Sequence, residues 1–219
     1  MIILLRGHIR NSFDDKRLYL FFKEVSKVHP IKIYIHTWDI LQSNISWRGM
    51  KLNTTKITEQ LIKAYFGDLQ NMIMKIIIDS DKNIKLIGST RGNISMSLAP
   101  KIGWKNMWYG KKRIIDEIGK IESVNEIIVN MRFDIFTNSN PFKKEVLLKF
   151  IQSNDKVGKK NIFIYNNEMR GLDNIYIGNF NTMFNLIYHF HYNLDMILTE
   201  NSVYSQEFLV FRENNKIRI

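Results

Sequence analysis

Met1-Ile2-Ile3-Leu4-Leu5, followed at once by Arg6-Gly7-His8-Ile9-Arg10-Asn11-Ser12, is an apolar run that stops in a polar turn. A short run of Ile and Leu bounded by such a turn reads as a buried strand. Past the turn, Asp14 to Val28 carries Leu18, Phe21, Phe22 and Val25 at the i, i+3, i+4, i+7 spacing of a helix buried on one face. Pro30 ends that helix, because the residue before a proline is pushed out of the α region. Ile31-Lys32-Ile33-Tyr34-Ile35 is then a second strand. Strand, helix and strand in succession predict a parallel pair with a right-handed crossover, hence an α/β sheet flanked by helices.

The rest of the chain extends the alternation. Leu41 to Asn53 reads as a polar loop, Thr54 to Phe66 as a helix, and Met74 to Ile78 and Ile84 to Ile87 as short strands. Ser89 to Gly103, with two glycines and Pro100, reads as a substrate-facing loop. Asn106 to Ile121 reads as a helix and Glu126 to Met131 as a central strand. Phe142 to Ile151 is a predicted helix, Asn161 to Tyr165 a strand, and Gly178 to Leu198 and Ser202 to Phe211 are helices. Lys216 to Ile219 is a last short strand. No repeat or linker interrupts this order, so one domain over residues 1–219 is expected.

Hydrophobic residues make up 45% of the 219, enough for a sizeable core and too many for a disordered chain. Lys and Arg number 32 against 21 acidic residues, a net +11. That excess favours anionic partners, whether nucleic acid, phosphorylated ligands or an anionic membrane surface. The densest clusters, Lys111-Lys112-Arg113 and Lys159-Lys160, are short and come with no known nucleic-acid-binding pattern. The chain has no cysteine, which excludes thiolate metal sites and disulfides. The start lacks a signal-peptide pattern, and no apolar run reaches about 18 residues. A cytoplasmic location is expected, with peripheral contact at the inner membrane face.

Four polar clusters are candidates for chemistry. Gly7 and Arg10 follow the first strand, where glycine admits close backbone approach and arginine can grip a diphosphate; the alternative is a solvated turn. His36-Thr37-Trp38-Asp39 closes the second strand. Trp38 can stack on a base or sugar and Asp39 can accept hydroxyl hydrogen bonds; the alternative is a packed tryptophan beside a capped turn. Arg132-Phe133-Asp134 closes the central strand, with its arginine and aspartate on one side of an extended segment. Such a carboxylate can hold a divalent cation and such an arginine can neutralise a diphosphate, or the two can simply pair with each other. Arg170 to Gly178 contains Asp173, a candidate general base, and Asn174, which reads better as a helix cap. Trp104, Trp108 and Tyr109 would either form an acceptor platform or pack the adjacent loop.

In order and spacing these phrases resemble a family of bacterial and viral glycosyltransferases from capsule and lipopolysaccharide gene clusters. The resemblance rests on Gly7-His8-Ile9-Arg10, Tyr34-Ile35-His36-Thr37-Trp38-Asp39, Arg132-Phe133-Asp134, and Asp173 to Gly178 followed by Met183. The tail, from Glu207-Phe208-Leu209 through Asn214-Asn215-Lys216-Ile217, is similar to the family's closing segment. The R-F-D phrase differs from the D-x-D of metal-dependent enzymes with the GT-A fold.

The resemblance implies a Rossmann-like GT-A fold with a mostly parallel sheet. It also implies transfer of a sugar from a nucleotide-sugar donor to a glycan or glycolipid acceptor. On that reading Gly7, Arg10, His36, Thr37, Trp38, Asp39 and Arg132 would bind the donor. Asp134 would hold Mn²⁺ or Mg²⁺ or a donor hydroxyl, and Asp173 would serve as base if the reaction inverts the anomeric centre. The alternative from another class is a basic, non-catalytic nucleic-acid-binding protein.

Overall fold

The computed structural model describes residues 1–46, 49–94, 98–122, 125–154, 158–165, 171–201 and 206–217. In chain order the elements are β1 (Ile2–Arg6), α1 (Arg17–Val28), β2 (Lys32–Trp38), β3 (Ile40–Gln42), β4 (Asn53–Lys56), α2 (Glu59–Phe66) and β5 (Ile73–Asp79). They continue with α3 (Lys101–Ile121), β6 (Ile127–Arg132), α4 (Lys144–Ser153), β7 (Ile162–Tyr165), β8 (Gly171–Asn179), α5 (Phe180–Glu200) and α6 (Gln206–Lys216).

Six strands form one sheet in the order β5-β2-β1-β6-β8-β7, and β3 and β4 form a separate antiparallel pair. The pairs β5-β2, β2-β1 and β1-β6 are parallel; β8 runs antiparallel to both β6 and β7. The α/β sheet flanked by helices is thus present, with an antiparallel strand inserted near one edge. β1 is buried along its whole length, because helices cover both of its faces. Ile3 and Leu5 join the core under α1, α2 and α4. Ile2 and Leu4 join the opposite core under α3, α5 and α6. That split is the period-2 alternation of a strand.

Several elements differ from the sequence reading. Thr54 to Lys56 is strand β4, paired with β3, and the helix starts only after Thr58, whose hydroxyl accepts from Leu61 N at 3.2 Å. Ile84 to Ile87 is not a strand. It is tied instead to α3 and α5, where Lys105 Nζ donates to the Ile87 carbonyl and to Asp195. Helix α3 begins at Lys101, directly after Pro100, so residues 101–103 belong to the helix and not to the loop. Gly178 lies in β8, and α5 starts at Phe180 with Asn179 as its cap, accepting from Thr182 N at 2.9 Å. Asn174 is therefore a strand residue and not a helix cap. Lys216 ends α6, where a short strand was expected; Arg218 and Ile219 lie outside the described residues, as do Arg170 and residues 202–205.

The basic cluster Lys111-Lys112-Arg113 comes apart on α3. Lys111 points into the core, Lys112 pairs with Asp116 at 2.7 Å, and Arg113 pairs with Asp79 at 3.0 Å. Consecutive helical residues face different directions, so a run of charges in sequence is not a patch in space. Among the described residues, no helix is long and apolar enough to cross a membrane.

Candidate functional site

The connection after β1 leads to β2 on one side, whereas β6 lies on the other. In an open α/β sheet the crevice at such a switch point, beyond the carboxyl ends of the strands, is where ligands bind. Here that edge carries a row of basic side chains. Arg6 is in register with His36 on β2 and with Arg132 on β6. All three side chains line one cleft, together with Gly7, Arg10 and Asp134.

The row is held by specific acceptors. Arg6 is buried; its Nε donates to Asn130 Oδ1 at 2.8 Å and its Nη2 to the Asp173 carbonyl at 2.6 Å. Burial pushes its guanidinium below the usual arginine range, and the nearby Asp173 charge works against that shift. Asp134 Oδ2 accepts from Arg10 Nη1 at 2.6 Å and from Arg132 Nη2 at 2.7 Å, and Oδ1 accepts from Arg132 Nε at 2.8 Å. Arg132 Nη1 also donates to Asn174 Oδ1 at 3.1 Å. Burial alone would push the Asp134 carboxyl up, but Arg132 and Arg10 outweigh it and hold it below the usual carboxylate range.

The turn after β1 is shaped to bring Arg10 in. Gly7 has φ of +102° and its N–H donates to the His36 carbonyl at 3.1 Å. Arg10 itself has φ of +54°, the one positive value at a non-glycine position among the described residues. Its N–H donates to the Leu41 carbonyl at 3.0 Å, which ties the turn to β3. A left-handed arginine costs roughly 1–2 kcal/mol and persists because the surroundings over-determine it.

The H-T-W-D phrase divides by alternation. His36 and Trp38 line the cleft; Thr37 and Asp39 do not. Thr37 is fully buried within the sheet, and Asp39 accepts from Lys56 Nζ at 2.8 Å on the β4 side. His36 Nε2 lies 3.3 Å from Asp79 Oδ2, and burial pushes its pKa down. Asp79, held by His36 against the effect of burial and further by Arg113, is lowered to about 2. Trp38 packs edge-on to His36 with ring centroids 5.1 Å apart and stacks on Tyr109 at 6.3 Å.

Asp173 reaches the same cleft from β8. The pairing of β7 with β8 jumps from Phe163↔Tyr176 to Ile164↔Leu172, so residues 173–175 bulge relative to β7. Among the described residues its carboxylate accepts no hydrogen bond, although the side chain is mostly buried. His8 lines the same cleft, with Nδ1 3.3 Å from the Ile40 carbonyl. Burial lowers the His8 pKa to about 4, so the ring is neutral at pH 7.

Sequence reasoning missed Asn106. On α3, Gly103, Asn106, Met107 and Gly110 share the face that forms a wall of the cleft. The two glycines let the helix come close: a Cβ at Gly103 would meet Ile45 Cγ2 at 3.3 Å. Between them Asn106, 8% exposed, presents a side-chain oxygen with no partner among the described residues. The sequence reading ends a loop at Gly103 and starts the helix at Asn106, so the shared face of Gly103, Asn106 and Gly110 emerges only once α3 begins at Lys101. Of the three aromatics in the same stretch, Trp104 lines the cleft, whereas Trp108 is fully buried and stacks on Phe190 at 4.3 Å.

No protein-family model and no curated protein matches this sequence. Among solved structures the chain is similar to the galactosyltransferase LgtC in complex with donor and acceptor sugar analogues. The TM-score is 0.49 at 10% identity, over 98% of this chain and 69% of that one. An active-site mutant of LgtC gives 0.48 at 10% identity, over 95% and 68%. At that level the likeness assigns no residue and no activity.

The donor set itself speaks to a divalent cation. Mg²⁺ and Mn²⁺ favour oxygen ligands, one or two carboxylates together with substrate phosphates and waters. No group of three His, Cys, Asp or Glu that could hold a metal occurs among the described residues. Asp134 is bracketed by two guanidiniums that would repel a dication. These residues do not fit a metal; they fit an anion.

Proposed function

We propose that this chain is a glycosyltransferase that moves a sugar from a nucleoside-diphosphate donor to a glycan or glycolipid hydroxyl, in the synthesis of a surface polysaccharide. The observation that carries the reading is the pairing, in one cleft at the switch point of the sheet, of an arginine cluster with the Asp173 carboxylate. Sugar transfer needs both: cations to stabilise the departing diphosphate and a base for the incoming hydroxyl.

In this reading Arg10 and Arg132 bind the diphosphate. His36 and Trp38 form the wall on the nucleotide side, with Gly7 letting the chain after β1 turn beside them. Asp173 takes the proton of the acceptor hydroxyl as its oxygen bonds to the anomeric carbon and the bond from that carbon to the phosphate oxygen breaks. The nucleoside diphosphate leaves with the bonding pair. Asp39 and Thr37 act only through the position of the β2 end.

The test is a thermal-shift and turnover screen across UDP-, GDP-, dTDP- and CMP-linked sugars. A ligand of the native state raises Tm in step with its concentration. One donor class should stabilise the protein and be consumed, and Asp173→Asn should lower kcat about 10²–10⁴-fold with donor affinity kept. No shift with any nucleotide sugar, beside tight salt-dependent binding of RNA or DNA, would overturn the reading in favour of a basic nucleic-acid binder.

A further inference from the structure

We infer that Asp134 is a resident counter-anion and not a metal ligand, and that the cleft grips the donor's diphosphate with guanidinium groups alone, without a divalent cation. The inference rests on the sugar-transfer reading above and adds to it how the leaving group is neutralised.

Depth is the first argument. The Asp134 side chain is 3% exposed, whereas Arg10 is 16% and Arg132 23% exposed. Asp134 also lines the cleft, but its carboxylate is the most buried of the three, shielded from solvent more than either guanidinium.

Occupancy is the second. A carboxylate offers about four lone-pair sites. Three are filled, by Arg10 Nη1 and Arg132 Nη2 on Oδ2 and by Arg132 Nε on Oδ1. The grip of Arg132 is bidentate, the strongest geometry available to that pair.

Charge is the third. Among the described residues, Arg6, Arg10 and Arg132 line the cleft with Asp134 and Asp173, three cations against two anions. Adding a dication would raise the positive charge of a pocket that is already cationic. Adding a diphosphate neutralises it. Asp134 has a task in this scheme even before the donor binds. Two arginines placed side by side repel each other, and the carboxylate between them keeps both aimed at the same point. The left-handed backbone at Arg10 serves the same end, since it turns the side chain from the β1 loop onto the acid. When the diphosphate arrives, its oxygens share guanidiniums that are already in place, which is the electrostatic preorganisation that catalysis rewards.

Calorimetric titration of the full chain with UDP, GDP and inorganic pyrophosphate, in EDTA and again with Mn²⁺ or Mg²⁺, tests this. At least one nucleoside diphosphate should bind in EDTA with an affinity within about threefold of that with metal, and Arg132→Gln should weaken it about tenfold or more. Asp134→Asn should change pyrophosphate binding by the same factor in EDTA as with metal, whereas loss of a metal ligand would show only with metal present. If that variant fails to fold, the EDTA comparison on the unaltered protein still decides. Binding that appears only with metal overturns the inference and leaves sugar transfer standing. No binding of any probe in either buffer overturns both.

Discussion

Gly110 of α3 and His36 of β2 are in such close contact that no side chain fits between them. A Cβ on Gly110 would lie 2.5 Å from His36 Nδ1 and 2.6 Å from Cε1. The ring cannot retreat, since it is 1% exposed and held near Asp79. In an ordinary exposed helix Gly→Ala stabilises by about 1 kcal/mol. Here overpacking works against that gain, and such insertions typically cost about 1–3 kcal/mol. Gly110→Ala should therefore lower the urea midpoint. A raised midpoint would mean that α3 can lift from β2 at little cost, and the cleft wall would then not be rigid.

Asn106→Leu should separate stability from binding. Among the described residues its side-chain oxygen is a buried acceptor without a donor, a defect costing about 1–3 kcal/mol. Leucine has nearly the same shape and removes the defect, so Tm should rise. If the amide meets a donor group of the nucleotide or sugar, affinity should fall about tenfold or more over the same substitution. A rise in Tm with unchanged affinity would remove Asn106 from the binding wall.

Acid should destabilise the protein partly through His8. The ring's folded-state pKa, about 4, lies below the ordinary value of 6.5. Below pH 6.5 the unfolded chain takes up the proton first, so this contribution is complete above pH 6.5 and is lost progressively as pH falls towards 4. Arg10 and His36 nearby add to the cost of charging the ring, whereas Asp134 opposes it. At about 1.4 kcal/mol per pKa unit the contribution is at most about 3.5 kcal/mol. His8→Asn keeps a donor for the Ile40 carbonyl without a titrating ring. Urea midpoints measured from pH 7 to pH 4 should fall less steeply in that variant. An identical slope would show that His8 does not carry the effect.

Lys111→Met should stabilise. The ammonium is fully buried, 3.7 Å from the centre of the Trp108 ring, and donates no hydrogen bond among the described residues. Burial pushes its pKa well below the usual lysine range, and Arg6 and Arg132 add to the shift. Methionine keeps the stem that packs on Trp108 and Tyr176 and removes the orphan group. A gain of about 1–2 kcal/mol, or several degrees in Tm, is expected at pH 7. A large loss would show that Lys111 pairs with a group absent from the described residues.

Much of the architecture was legible because its signals are local. Leu18, Phe21, Phe22 and Val25 mark a helix face by spacing alone, and all four enter the core as that spacing requires. The strand ends at Arg6, His36 and Arg132 could be found where apolar runs stop. Thr58 caps a helix shorter than the apolar pattern from Thr54 suggests, and Pro100, which beside two glycines reads as a loop residue, directly precedes the start of α3. Strand β8 was hidden for a different reason. Gly171 to Asn179 carries glycines and polar residues that read as a turn, and only pairing with β6 and β7 makes it extended.

The sequence by itself determined that helices and strands alternate, and which residues stand at the strand ends, because periods of 2 and 3.6 are set within a few neighbours along the chain. What those residues do to one another was decided by the tertiary structure. Arg10 meets Asp134 across 124 positions, and Arg6 reaches the Asp173 carbonyl across 167. Register puts His36, Arg6 and Arg132 in one row, alternation turns Thr37 and Asp39 away from it, and packing of α3 adds Asn106 to the wall. Charge and hydrogen bonding act over a few ångströms in space, and no local pattern in the chain encodes those distances.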